Sequence, residues 1–319
     1  MKRYFTHLIF AFIYISSFGQ NTNEYLVKAS NSKIKKETIS KEEKFVNDNF
    51  PFFKMSDWKI GMKFMIEPDY LEIDNRLNVK PTKNSSYSKQ PFQKDYEFKV
   101  FELIKIKNSI SKSYFTFECE GKKFIHVSPL NLEDLRNSSS FSHIDNFVYL
   151  NDIDKAKELL LNKELYLLTN RWLKENGGNG EYDYFEKFIS VKIIKIGLGE
   201  RNGPVKIIFR TKDGKENFLN VRFSGINSSE SKLFGIDFVD AFSFKNPKDL
   251  YPEIPTEMWK SIQNCVAKIG MTKKEAELAW GKAESINRTI NNNSVSEQWV
   301  YGTGSYLYFK NGKLTDIQN

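Results

Sequence analysis

Phe98-Lys-Val-Phe-Glu-Leu-Ile-Lys-Ile106 and Phe188-Ile-Ser-Val-Lys-Ile-Ile-Lys-Ile196 read as two versions of one strand, and what surrounds them decides the fold. Each leads through a polar turn to a second strand, Tyr114 to Cys119 or Lys206 to Thr211. A further turn follows, Glu120-Gly121-Lys122 or Asp213-Gly214-Lys215, and then a third strand, Phe124 to Val127 aligned with Phe218 to Val221. Glycine supplies positive φ without a Cβ clash, which is why a hairpin turn uses it. Gly61 to Ile66 and Glu164 to Asn170 read as leading strands. Asn151-Asp152 and Asn246-Pro247 close the two units. Such a meander must curl or pair to bury its aromatic face. The repeat therefore predicts two tandem antiparallel β modules, each a small barrel or SH3-like unit, over residues 50–150 and 151–254.

After Tyr251-Pro252-Glu253-Ile254-Pro255, too proline-rich for a helix interior, the pattern becomes helical. Ile262, Cys265, Val266 and Ile269 follow the i, i+3, i+4, i+7 spacing of one buried face, with Gly270 as the stop. Thr272-Lys-Lys-Glu275 has the form of a capping box, Met271 and Ala276 that of a hydrophobic staple, and Gly281 ends the helix after Trp280. Three strands are predicted next: Val295 to Tyr301, Ser305 to Phe309, and a last one beyond the Asn311-Gly312 hairpin, which sets Phe309 opposite Leu314 and Lys310 opposite Lys313. Residues 255–319 thus read as a small ααβββ two-layer domain, and the whole chain as α+β.

Ile269-Gly-Met-Thr-Lys-Lys-Glu275, Ala279-Trp-Gly-Lys282, Glu297-Gln-Trp-Val-Tyr-Gly302 and Tyr306-Leu-Tyr-Phe-Lys-Asn-Gly-Lys313 resemble the successive motifs of the BamE/SmpA/OmlA outer-membrane assembly domain. The resemblance covers about Trp259 to Asn319. It implies an antiparallel strand layer under two helices, no catalysis, and a docking role in the outer-membrane envelope. Ala283 departs from the family's usual proline, and the family's lipoprotein cysteine has no counterpart here. The resemblance therefore implies an appended module rather than a member of the β-barrel assembly machine.

Lys2 and Arg3, the apolar run Leu8 to Ile15, and the small-x-small site Ser17-Phe18-Gly19 read as a signal peptide over residues 1–19. The run is far shorter than the roughly 20 residues that span a bilayer. Residues 20–49 form a polar tether with one helical stretch near its end. The chain of 319 residues is 40% hydrophobic, 15% aromatic and 28% charged, with mean hydropathy -0.52, which excludes disorder and describes a well-solvated globular protein. Removing residues 1–19 takes away Lys2 and Arg3 and no acid, so the formal charge falls from +8 to +6. A basic balance can serve nucleic acid, anionic lipid or acidic glycan, and it is compatible with peripheral association with a membrane. Here Lys and Glu alternate rather than form a stripe, and export argues against a nucleic-acid partner.

No catalytic or metal-binding constellation stands out. His7 falls in the signal; His126 and His143 lack ligand spacing. Cys119 and Cys265 read as two buried thiols in separate modules. Gly197-Leu-Gly199-Glu-Arg-Asn-Gly203 has the wrong spacing for a dinucleotide loop and reads as a turn. Glu118 and Glu120 read as the solvated face of a strand rather than a glycosidase pair. Trp299, Tyr301, Tyr306 and Tyr308 are candidates for stacking on sugar rings, with domain packing the commoner use of such residues. The sequence thus predicts an exported, non-catalytic protein of the periplasm or outer-membrane periphery, with the extracellular space as the alternative location, that needs no cofactor and binds envelope proteins. Binding of a glycan or small ligand, or action as a secreted enzyme inhibitor, are the alternatives, and an exported hydrolase with no visible site is a further one.

Overall fold

The computed structural model describes residues 39–68, 75–82, 89–138, 142–174, 182–184, 186–200, 203–227, 235–291, 294–302 and 304–319. The predicted signal peptide and most of the predicted tether lie outside them. The described chain is mixed α+β, with mostly antiparallel strands in three sheets.

In the first sheet the neighbours run Lys80–Pro81, Lys122–Ser128, Ser113–Cys119, Val100–Asn108, Lys63–Ile66, Phe147–Tyr149. The central sheet repeats that order with Arg171–Lys174, Glu216–Arg222, Gly203–Arg210, Ser190–Glu200, Glu164–Leu167, Phe242–Ser243. It adds Tyr182–Tyr184 beside Arg171–Lys174, and Ile236–Asp237 in parallel beside Glu216–Arg222. The agreement extends to single hydrogen bonds. Phe98 N–H donates to Ile66 O at 2.8 Å and Phe188 N–H to Leu167 O at 2.6 Å. Gly61 N–H donates to Leu103 O at 2.8 Å and Asn162 N–H to Ile193 O at 2.9 Å. A β-bulge follows Leu103 in one sheet and Ile193 in the other. Phe98 and Phe188 both take the left-handed conformation, at φ 60 and 59°.

The third strand of each set differs from the alignment of Phe124 with Phe218. Phe117 pairs with Phe124, whereas Phe209, the corresponding residue, pairs with Asn217. Because strand side chains alternate between faces, a one-residue slip exchanges them. The core-facing set of the central sheet is therefore Asn217, Leu219 and Val221, matching Phe124, His126 and Ser128. The cause is the turn, where five residues, Thr211 to Lys215, replace the two-residue turn Glu120-Gly121. Glu120 itself stands in that turn at φ 50°, with its carboxylate 2.8 Å from Lys99 Nζ, so it does not share a strand face with Glu118. The glycine-rich segment is strand as far as Glu200, with Gly197 opposite Lys206.

Phe64, Phe101, Phe115, Phe117, Phe124 and Phe147 fill the core of the first sheet. Trp172, Val191, Ile193, Ile207, Phe209 and Phe242 belong to that of the central one. Several segments cross over, among them Val148 of the first-sheet strand Phe147–Tyr149, which is buried in the central core. Ile226, from the loop after the central strand Glu216–Arg222, is buried in the first core. Phe50 enters the central core and stacks on Phe223 at 4.3 Å between ring centroids. Order also begins before Phe50. The helix Lys41–Asn49, capped by Ser40 and Glu43, packs Phe45 and Val46 on the central core, and its Glu42 accepts from Phe244 N–H at 2.8 Å.

Helices Thr256–Gln263 and Lys273–Trp280 cover one face of the third sheet, whose strands are Ser285–Asn291, Ser294–Tyr301, Ser305–Lys310 and Lys313–Gln318 in that order. The shared core contains Ile262, Met271, Ala276, Ala279, Trp299 and Leu307. The capping box forms, with Glu275 N–H donating to Thr272 Oγ1 at 3.2 Å and Thr272 N–H to Glu275 Oε2 at 2.6 Å, and Gly281 takes φ 89° after the last turn. Phe309 pairs with Leu314 and Lys310 with Lys313 across Asn311-Gly312.

Two expectations for this region are corrected. The first helix ends at Gln263, six residues early. Cys265 occupies the left-handed position at φ 56°, its N–H bonding Ile262 O at 3.0 Å and Val266 N–H bonding Ser261 O at 2.9 Å, a Schellman end. Of the predicted helical face, Ile262 is buried, Cys265 is half-buried, and Val266 and Ile269 are exposed. The sheet also has four strands instead of three. Ser285–Asn291 is exposed along its whole length, so it carries no alternation from which a strand could be read.

Candidate cleft of the central sheet

The turn Thr211–Lys215 is held by Thr211 N–H donating to Lys215 O at 3.0 Å, with Gly214 at φ 86°. Within it the Thr211 hydroxyl donates to the Asp213 carboxylate, and Lys215 Nζ stands 3.1 Å from Asp213 Oδ2. The Thr211 and Lys215 hydrogen bonds hold the Asp213 carboxyl below its ordinary range. This turn lines one side of a cleft of ≈ 740 Å³, within the span of small-molecule sites.

Strand Glu164–Leu167 contributes Glu164 and Tyr166, and the start of strand Ser190–Glu200 contributes Ser190, preceded by Phe188 and Glu186. Trp172 and Asn217 reach the cleft from the core-facing side, exposed by only 1% and 3%. Trp172 packs edge-on to Phe209 at 5.8 Å. Asn217 Nδ2 is buried and has no hydrogen-bond partner among the described residues. Leaving such a donor unpaired costs about 1–3 kcal/mol. Lys212 and Lys248 complete the lining with a charge that offsets Glu164 and Glu186.

Phe188 also joins the cleft to the C-terminal helices. Its ring meets Trp259 edge-to-face at 5.9 Å, and Lys187 N–H donates to Gln263 O at 2.9 Å while Gln263 Nε2 donates to Lys187 O at 3.1 Å. The buried Lys187 ammonium donates to Leu278 O at 2.9 Å, and burial pushes its pKa down. Burial pushes the neighbouring Cys265 thiol up.

The four aromatics singled out in the sequence do not make one surface. Trp299 and Tyr301 face the helices: Trp299 Nε1 donates to Glu297 at 3.1 Å, and Tyr301 Oη donates to Gly281 O at 3.1 Å. Burial pushes the Tyr301 phenol up to about 12. Tyr306 and Tyr308 lie on the opposite face, paired with Val300 and Gln298, and Tyr308 Oη bonds Gln318 at 2.8 Å. Trp280 is half-buried, its Nε1 donating to Cys265 O at 3.1 Å and its ring 5.3 Å from Tyr301. His126 is buried with Nδ1 2.8 Å from Asn78 O, and His143 Nε2 lies 2.9 Å from Asp145. Cys119 is buried and free.

Asn217 and Trp172 were missed because neither carries a motif. An asparagine in a strand reads as solvent-facing until its register is known. Compared with protein-family models, curated proteins and solved structures, the chain matches none. Among the described residues no helix is long and apolar enough to cross a membrane.

Proposed function

We propose that this chain is an exported, non-catalytic interaction protein of the cell envelope, built from two copies of one barrel-like β module followed by a BamE/SmpA/OmlA-like module. The observation that carries this reading is the unequal fate of Phe98 and Phe188. Both hold the same left-handed backbone position at the start of equivalent strands. Phe188 is buried against Trp259 of the C-terminal helices, whereas Phe98 is 59% exposed. The module that docks a helical partner on its phenylalanine in the second copy presents the same residue to solvent in the first. A left-handed conformation is unfavourable for a bulky residue, and its cost is offset where the ring is covered.

A photo-crosslinking residue in place of Phe98, introduced into the full chain in its own cells, is expected to capture envelope proteins. The same group at Ile110, a fully exposed turn position on the same sheet, serves as control. Equal labelling from the two positions removes the basis of the reading. Retention of the chain in the cytoplasm removes its location.

A further inference from the structure

We propose that the cleft of the central sheet is a binding site for a neutral saccharide, with the buried Asn217 amide as its specificity-determining donor. This goes beyond the interaction role and does not depend on it.

The first sheet shows what the same site looks like when filled. The counterparts of Glu186, Val191 and Asn217 there are Tyr96, Phe101 and Phe124. Their rings pack together, Phe101 and Phe124 at 5.1 Å, Tyr96 and Phe124 at 5.3 Å, Tyr96 and Phe101 at 5.7 Å. In the central sheet three aromatic rings are replaced by a carboxylate, a valine and an amide. The backbone pairing is kept, and a cleft of ≈ 740 Å³ lies open against Glu186 and Asn217, with Trp172 also in its lining. Asn217, at 3% exposure and with Nδ2 unpaired among the described residues, is a polar group in a place where the fold accepts phenylalanine. A buried donor left unsatisfied in the free protein is satisfied when a ligand brings an acceptor.

The lining selects the ligand's class. Glu164, Glu186 and Asp213 balance Lys212, Lys215 and Lys248, so the site has no net charge with which to draw in an anion or a cation. Saccharide hydroxyls both donate and accept. One can accept from Asn217 Nδ2 while others donate to Glu164 or Glu186 and exchange with Ser190 and Thr211, and Tyr166 offers an aromatic surface to the ring's C–H face.

The test is calorimetric titration of the full chain with glucose, galactose, N-acetylglucosamine, maltose and cellobiose. Glucosamine and glucuronic acid are the charged comparisons, and a capped tripeptide is the peptide one. At least one neutral sugar is expected to bind with a Kd of about 1 mM or tighter, ahead of the charged sugars and the tripeptide. Asn217→Phe, which installs the residue the first sheet accommodates, is expected to weaken that binding at least tenfold without lowering the unfolding temperature. Glu186→Tyr, at an exposed rim position, should weaken it with the fold intact and serves if the first variant fails to fold. No binding by any neutral sugar, preference for a charged sugar or the tripeptide, or unchanged binding in a folded variant overturns the proposal. None of these outcomes bears on crosslinking at Phe98.

Discussion

Ser224 Oγ donates to Asp152 Oδ2 at 2.5 Å, a buried contact between the loop after the last long strand of the central sheet and the first turn of the helix Leu150–Leu160. Burial is the leading influence on Asp152 and pushes its carboxyl up to about 6, against the smaller opposing effect of the Ser224 hydrogen bonds. The folded state therefore holds the proton more tightly than the unfolded chain. The stability from this group is full below about pH 4 and is lost as pH rises through 6, amounting to about 3 kcal/mol across that window. Asp152→Asn keeps the shape and an acceptor for Ser224 but cannot ionise. It should be more stable than the parent at pH 7.5 and flatten the pH dependence between 4 and 7 in urea unfolding. An unchanged pH profile would show that Asp152 does not titrate in this window.

Asn227 clamps the first sheet to the same loop. Its Oδ1 accepts from Ile144 N–H at 2.6 Å and its Nδ2 donates to Ile144 O at 2.8 Å, while its backbone sits at φ 53°. Asn227→Ala removes these bonds and places a residue that disfavours positive φ, so a cost of about 2–4 kcal/mol is expected. Asn227→Gly relieves the backbone alone and should recover part of it. Equal stability of the two variants in chemical denaturation would contradict the strain argument.

Thr272 and Trp280 bracket the second C-terminal helix and should differ in cost. Thr272→Ala loses the cap and should destabilise by about 0.5–2 kcal/mol. Trp280 is only half-buried, so Trp280→Ala should fall at or below the low end of the 3–5 kcal/mol typical of a core tryptophan, about 2–3 kcal/mol. Thermal unfolding of the full chain ranks the two. A smaller loss at Trp280 than at Thr272 would contradict the ranking by burial.

The thiols should separate kinetically. Cys119 is buried in the first core, whereas Cys265 is half-buried on a left-handed residue between two helices. Burial raises both pKa values, so neither is a fast nucleophile at neutral pH. Titration with a thiol reagent should label Cys265 slowly in the native protein, spare Cys119, and reach two thiols on denaturation without reductant. A peptide joining Cys119 to Cys265 would exclude this arrangement.

The hairpin succession within each copy of the repeat, the Thr272–Glu275 capping box and the Asn311-Gly312 hairpin were legible in the sequence because each depends on residues close together along the chain. Local hydrogen bonding and steric preference determine them wherever the segment is placed, whereas the placing of Lys63–Ile66 and Phe147–Tyr149 beside them joins residues 35 to 85 positions apart. What needed the tertiary structure was every feature set by register or by what lies across a gap. The extra turn residues before Glu216 move Asn217, not Phe218, to the core side, where it lines the cleft. The end of the helix at Gln263 went unread because cysteine, not glycine, takes the left-handed position there. The exposed strand Ser285–Asn291 went unread because a strand covered on neither face has no pattern to show. Phe98 and Phe188 are alike in sequence and in backbone. Only the packing of Trp259 against one of them, a contact 71 residues away along the chain, decides which is core and which is surface.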